Sequence, residues 1–182
     1  MSICVVVRGP LGIGKTTVGR ALAQAMGAEL ISIDQILEEH QLEEWDSDRI
    51  SLASFLRANT FAIERARDSL ARHVPVIVEG NFYWAEQVDD FLTRLGSSAV
   101  VFTLLAPLHV CIERDRQRPE PAEGVGPRAG DHMGEESVRQ VYAMVSAVDR
   151  GSPVDASGPT QETVRRILAQ LPGGWSGTQR PT

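Results

Sequence analysis

A single lysine occurs in the chain, and it stands in a pattern suited to holding phosphate. Of the 18 lysine and arginine residues, 17 are arginine and one, Lys15, is lysine. It belongs to Gly9-Pro10-Leu11-Gly12-Ile13-Gly14-Lys15-Thr16-Thr17, which has the Walker A, or P-loop, spacing G-x-x-x-x-G-K-[ST]. In that pattern glycines let backbone N–H groups wrap phosphate oxygens at the start of a helix. The lysine reaches the β- and γ-phosphates, and the hydroxyl after it ligates Mg²⁺. A compact ammonium fits between phosphates where a planar guanidinium fits poorly. The spacing therefore assigns nucleotide contacts to Gly9, Leu11, Gly12, Ile13, Gly14, Lys15, Thr16 and Thr17, with Thr16 also on the metal. It predicts ATP and Mg²⁺ as the cofactors, and Lys15 as a catalytic charge.

Two acids fall where a second and a third strand should end. Asp34 follows Glu29–Ile33, and its carboxylate can orient an acceptor hydroxyl or take its proton. The competing reading is an N-cap for a helix starting near Gln35. Glu79 follows Pro75–Val78 and can hold Mg²⁺ in the manner of a Walker B carboxylate; otherwise it is a solvated strand end. Asn81, Phe82, Tyr83 and Trp84 come next, as one wall of an acceptor pocket or as packing for the following helix.

Arginine must supply the remaining positive charge. Arg114 and Arg118, at i and i+4 on one helix face, and Arg128 in the following loop are the candidates for stabilising charge during phosphoryl transfer. The plain alternative is a charged helix end with Glu113 and Asp115 as surface partners. Arg57 is a candidate clamp for an acceptor carboxylate or phosphate, in competition with Arg49, Arg65, Arg67 and Arg72. The four histidines have no metal-ligand spacing, and His132, after Asp131 in the lid region, is a minor candidate for a substrate contact.

These residues need elements to position them. Ile3–Val7 is a continuous apolar run and reads as a buried parallel strand. Val18, Leu22, Ala25 and Met26 then recur at helical spacing, with Gly27 as a stop. Helical patterns follow at 51–72, 86–95, 108–116, 135–148 and 160–171, the last with Thr160 as its N-cap. Strand signals lie at 29–33, 75–78, 99–104 and 153–155. Residues 117–134 hold three prolines and four glycines and read as a mobile lid loop. The end from Pro172 to Thr182 reads as a disordered tail. Alternating strands and helices predict an α/β fold whose ligands bind at the carboxyl ends of a parallel sheet.

At 182 residues the chain suits one domain, and its net charge of −6 disfavours sequence-independent nucleic-acid binding. Cys4 and Cys111 sit in apolar surroundings and read as buried free thiols. No signal-like segment and no run long enough to cross a bilayer is evident, so a cytoplasmic protein without membrane contact is expected.

With these residues in place, the chain resembles the P-loop small-molecule kinases, such as shikimate kinase, gluconate kinase, adenylylsulfate kinase and chloramphenicol phosphotransferase. The resemblance runs from residue 3 to about 171 and is most specific over Gly9–Thr17. Asp34 matches a carboxylate that meets the acceptor hydroxyl in shikimate kinase and chloramphenicol phosphotransferase. Ala106–Asp115 looks like the segment leading into their lid. The resemblance implies the P-loop NTPase three-layer sandwich: a five-stranded parallel sheet in the order 2-3-1-4-5, with helices on both faces and a mobile lid at about 117–134. The kinase domain would span 1–171. The resemblance also implies an adenine site near the lid arginines and residues 155–159. One departure stands out: shikimate kinase has a glycine-rich turn after the third strand, and Glu79-Gly80-Asn81-Phe82 takes its place here, which argues against shikimate as acceptor.

The leading expectation is an ATP- and Mg²⁺-dependent kinase moving a γ-phosphoryl group to a hydroxyl of a small-molecule acceptor, as monomer or homodimer. Substrate contacts fall to Asp34, Arg57, Asn81 and Phe82. The alternatives are a nucleoside or nucleotide kinase, an antibiotic-modifying phosphotransferase, and an ATP-binding partner with no acceptor. A guanine-reading switch is disfavoured, because no second lysine exists to form its N-K-x-D motif.

Overall fold

The computed structural model describes residues 3–46, 49–122, 130–173 and 175. Its strands are β1 (Cys4–Arg8), β2 (Glu29–Ser32), β3 (Trp45–Asp46), β4 (Arg49–Ile50), β5 (Val76–Glu79), β6 (Ala99–Leu105) and β7 (Ser152–Asp155). Its helices are α1 (Lys15–Met26), α2 (Ile33–Glu39), α3 (Leu52–Ala71), α4 (Ala85–Leu95), α5 (Leu108–Arg116), α6 (Glu135–Ser146) and α7 (Thr160–Gln170). The main sheet runs β2-β5-β1-β6-β7 with every neighbour parallel. The antiparallel pair β3–β4 was not anticipated from sequence and raises the strand numbering, so the order expected as 2-3-1-4-5 reads β2-β5-β1-β6-β7.

The alternation of side chains along β1 divides the core in two. Val5 and Val7 pack with Val18, Leu22, Ile112, Val164 and Ile167 on one face. Cys4 and Val6 pack with Ile33, Phe55, Ile63, Val88 and Phe91 on the other. Both faces of the central strand are thus dry, which is why β1 reads as unbroken apolar sequence rather than alternating. Helices α1, α5 and α7 lie on the first side and α2, α3 and α4 on the second. The result is the three-layer α/β sandwich.

Local signals set the ends of the elements. Helix α1 stops at Gly27, which takes the left-handed conformation at φ 61°. Ser51 caps α3 by accepting from the Ser54 N–H at 3.2 Å. Helix α2 starts earlier than expected: Ser32 is its N-cap, and its side chain accepts from the Gln35 N–H at 3.5 Å. The capping alternative for Asp34 is thereby removed. Pro159, not Thr160, occupies the cap position of α7. Of the segment expected to be a disordered tail, Trp175 packs against the core. Residues 174 and 176–182 lie outside the described residues, as do 123–129 within the expected lid.

Arg8, at the end of β1, is fully buried and has no carboxylate partner among the described residues. Its guanidinium donates to the Thr103 hydroxyl at 3.0 Å and to the carbonyls of Phe82 (3.2 Å), Val145 (2.9 Å), Val148 (3.0 Å) and Arg150 (3.3 Å). Three of those carbonyls lie at or just past the C-terminal end of α6, where the helix dipole favours a cation. Burial pulls the Arg8 pKa down to about 10, so it stays charged at neutral pH. Arg8 thus ties α6 and the Asn81–Trp84 segment to the strand that launches the P-loop.

Candidate active site

The loop from Gly9 to Gly14 joins β1 to the N-terminus of α1, so its backbone and the positive end of the helix dipole share one spot. Gly14 caps α1 at φ 98° and Gly12 stands at φ 75°, both in the left-handed region. Leu11 and Ile13 turn their side chains into the core, leaving their backbone for ligand contact. A Cβ on Gly12 would lie 2.1 Å from the Cys111 carbonyl oxygen of α5. Gly12→Ala therefore combines a disfavoured φ with a backbone collision. We expect it to lose nucleotide binding by at least about tenfold, or to lose the fold, read by ATP titration alongside circular dichroism.

Three ionisable side chains converge at the ends of β1, β2 and β5. Lys15 is 7% exposed, and its ammonium donates to the Pro10 carbonyl at 3.0 Å. Burial pushes its pKa down, while the charges of Asp34 and Glu79 oppose that shift. Asp34 sits in the first turn of α2 and accepts from Asn81 Nδ2 at 3.3 and 3.4 Å. Burial is the main cause that pushes the Asp34 carboxyl up to about 6; Lys15 lowers it and the Glu79 charge raises it. Glu79 is 2% exposed, so it is not a solvated strand end, and it accepts from the Thr16 hydroxyl at 3.0 Å. Gly80 allows β5 and α2 to meet: a Cβ there would lie 2.7 Å from Ile33 Cβ. Thr17 is exposed one position further along α1.

On the acceptor side the expectations divide. Asn81 reaches Asp34, as described. Phe82 does not face a ligand: it is fully buried and packs edge-on against Phe91 at 5.7 Å. Tyr83 and Trp84 remain partly exposed and form an aromatic corner with Phe55, at centroid distances of 5.4 to 5.7 Å. Sequence alternation past Glu79 offered no way to tell which of these rings points inward. Arg57 is held by Glu44 at 2.7 Å and by the Ser54 hydroxyl at 3.4 Å. Arg49, on the unforeseen β3–β4 pair, meets the Met144 sulfur of α6 at 3.4 Å, so this pair spans from the α2–α3 side to α6.

On the lid side the arginines also divide. Arg114 donates to the carbonyls of Ile13 (3.1 Å), Ala156 (2.9 Å), Ser157 (3.0 Å) and Gly158 (3.4 Å). It clamps the P-loop to the loop after β7. Arg118 is close enough for its charge to bear on Lys15, and it lies 3.6 Å from Asp115. Arg128 lies outside the described residues.

The plain alternative makes Asp115 a surface partner, and its 1% exposure removes that alternative for Asp115. Its carboxylate accepts from the backbone N–H groups of Met133 and Gly134, each at 3.1 Å, and meets His132 Nδ1 at 3.0 Å. Gly134 is the N-cap of α6 and has no side chain to do this, so Asp115 caps α6 from α5. His132, the minor candidate for a substrate contact, belongs to this joint. Asp115→Ala would leave buried donors unpaired. We expect it to lower stability by about 3 kcal/mol in a denaturant melt, a loss too large for a surface pair.

A cavity of about 300 Å³ lined by Pro10, Thr103, Leu105, Tyr142 and Gly151 lies between the β6–β7 edge and α6, and it includes neither Asp34 nor Lys15.

Known proteins share this arrangement. A family described as an AAA domain matches residues 4–137. Shikimate kinase 2 of Salmonella schwarzengrund is 31% identical over 173 residues, covering 90% of this chain and 89% of the relative. Among solved structures, a sugar kinase from Janibacter sp. HTCC2649 superposes with a TM-score of 0.75 at 18% identity, covering 99% of this chain and 100% of the other. A gluconokinase from Sinorhizobium meliloti 1021 superposes at 0.62 with 23% identity, covering 92% and 90%. These two structures share the fold; the sequence match over most of the chain establishes the relationship. The chain belongs to the P-loop small-molecule kinases and is an ATP-dependent phosphotransferase.

Proposed function

We propose that the chain transfers the terminal phosphoryl group of ATP to a hydroxyl of a small molecule held between Asp34 and the P-loop, with Mg²⁺ on Thr16 and Glu79. The observation that carries this is the meeting of Lys15, Asp34 and Glu79 at the carboxyl ends of three adjacent parallel strands. Ligands of open α/β sheets bind at that edge.

The donor set fits magnesium. A hydroxyl and a carboxylate oxygen 3.0 Å apart are hard ligands, and Mg²⁺ takes one or two such protein groups beside phosphates and water. When bound, the ion neutralises phosphate charge. The residues supply the rest. The P-loop N–H groups and Lys15 hold the phosphates and meet the charge that grows on them. Asp34, with a pKa pushed up to about 6, is poised to accept the acceptor's proton near neutral pH, and Asn81 fixes its orientation. Arg114 keeps the P-loop and the 156–158 loop in register around the nucleotide.

The test is ATP turnover with and without a pool of hydroxylated small molecules, followed by mass. An ATP-binding partner with no acceptor yields no phosphorylated product from any pool; the proposed kinase yields one whose formation requires Mg²⁺.

A further inference from the structure

Among the described residues of the acceptor wall, one buried side-chain atom has no protein partner. Asn81 Oδ1 is buried and unbonded, beside the carboxylate that is to receive the reacting hydroxyl. Its direction is fixed by chemistry. An ionised Asp34 only accepts, so Asn81 must turn its N–H₂ toward Asp34 and its oxygen away. The backbone around it is pinned: Gln87, fully buried, donates to the Asn81 carbonyl at 2.9 Å and accepts from the Tyr83 N–H at 3.2 Å. A buried acceptor that costs desolvation and gains nothing within the protein suits a donor from a ligand. A hydroxyl next to the reacting one is such a donor.

The charges around the wall favour the same class of molecule. The charges of Glu79 and Glu43 both bear on Asp34. Arg57, the residue expected to clamp an anion, is paired with Glu44 at 2.7 Å. Lys15 and Arg118 provide positive charge on the phosphate side. A carboxylate on the acceptor would face like charge, whereas an uncharged ring or chain can lie against Tyr83 and Trp84 with its hydroxyls toward Asp34 and Asn81.

We propose that the acceptor is an uncharged polyol with two adjacent hydroxyls, the reacting one held by Asp34 and its neighbour donating to Asn81 Oδ1. In the step, the reacting oxygen forms its bond to the γ-phosphorus as the bond to the β,γ-bridging oxygen breaks. Its proton passes to Asp34, and ADP leaves with the bridging oxygen. The proposal rests on the kinase reading above and narrows it.

Incubation of the full chain with ATP and Mg²⁺ tests it, using an equimolar pool of myo-inositol, sorbitol, methyl α-D-glucoside and methyl shikimate beside gluconate, glucuronate and shikimate. The expected result is phosphorylation of uncharged members at least about tenfold faster than of carboxylates. Preferred carboxylate products overturn this proposal and leave the kinase reading intact. No product from the pool or from a whole metabolite extract, with ATP bound, overturns both. A second arm compares the preferred polyol with its analogue lacking the adjacent hydroxyl. Wild type should favour the diol by about tenfold to a hundredfold in kcat/KM, and Asn81→Ala should bring that ratio to about one. A ratio unchanged by the substitution removes Asn81 from the assignment, since a merely structural loss lowers both rates together.

Discussion

Lys15→Met will reduce phosphoryl transfer by about a thousandfold or more and weaken ATP binding, while the protein still folds. The size follows from what the side chain does and from what stands near it. A preorganised cation aimed at developing charge in a dry site is worth about 10²- to 10³-fold by itself. Lys15 is buried, and no other lysine exists to replace it. Arg118 bears on it electrostatically, but Arg118 sits beside the buried Asp115 at 3.6 Å. Methionine keeps the length and the packing of the stem, so the loss is one of charge. Lys15→Arg should fail nearly as badly, because the planar fork does not fit where the ammonium meets the Pro10 carbonyl. Retention of more than about a tenth of wild-type kcat/KM by Lys15→Met would remove the P-loop from the chemistry. The same singularity allows a direct reading of occupancy: amine acylation should reach only Lys15 and the amino terminus, and ATP should protect Lys15.

Asp34→Asn will show the opposite pair of effects, less activity and more stability. Loss of a positioned general base lowers kcat by about 10²- to 10⁴-fold. Asparagine still meets Asn81, so geometry changes little. The stability effect follows from the raised pKa. The carboxyl moves from 3.8 to about 6 in the fold, so the folded chain holds this proton more tightly than the unfolded chain. Its contribution is complete below about pH 4 and is lost as pH rises through about 6; at neutral pH the ionised form costs about 3 kcal/mol. The variant removes that cost. In thermal melts without ligand, wild type should lose stability relative to Asp34→Asn between about pH 4 and 6 and run parallel above it. Wild-type kcat/KM should climb through an apparent pKa near 6, and the variant should lack that limb. A variant less stable than wild type at pH 7 would contradict the origin assigned to the shift.

The fold was legible because its signals are local. Five apolar runs, a glycine loop and helical spacing were enough to place the sheet and α1, and the carboxyl-end rule then selected Asp34 and Glu79 correctly as neighbours of Lys15. What stayed hidden depends on contacts distant in sequence. Asp115 looks like any acid between arginines until α6 returns 18 and 19 residues later to put the N–H groups of Met133 and Gly134 on it. Arg8 looks like a charge at a strand end; only the approach of the α6 terminus, with Val145, Val148 and Arg150, explains its burial. Phe82 and Tyr83 are adjacent aromatics, and which of them is core depends on the twist of the chain after Gly80. The pair β3–β4 has two residues in each strand, too short for any periodicity.

The central claim is that Lys15 holds the nucleotide phosphates and Asp34 the acceptor hydroxyl in one site. It is tested most directly by following ATP-dependent phosphorylation of a hydroxylated metabolite pool by mass in wild type, Lys15→Met and Asp34→Asn, with ATP affinity measured in parallel. The account predicts a phosphate monoester in wild type and almost none in either variant, with ATP affinity reduced in Lys15→Met and retained in Asp34→Asn. Full product formation by Asp34→Asn, or a loss of ATP binding equal in both variants, would contradict it.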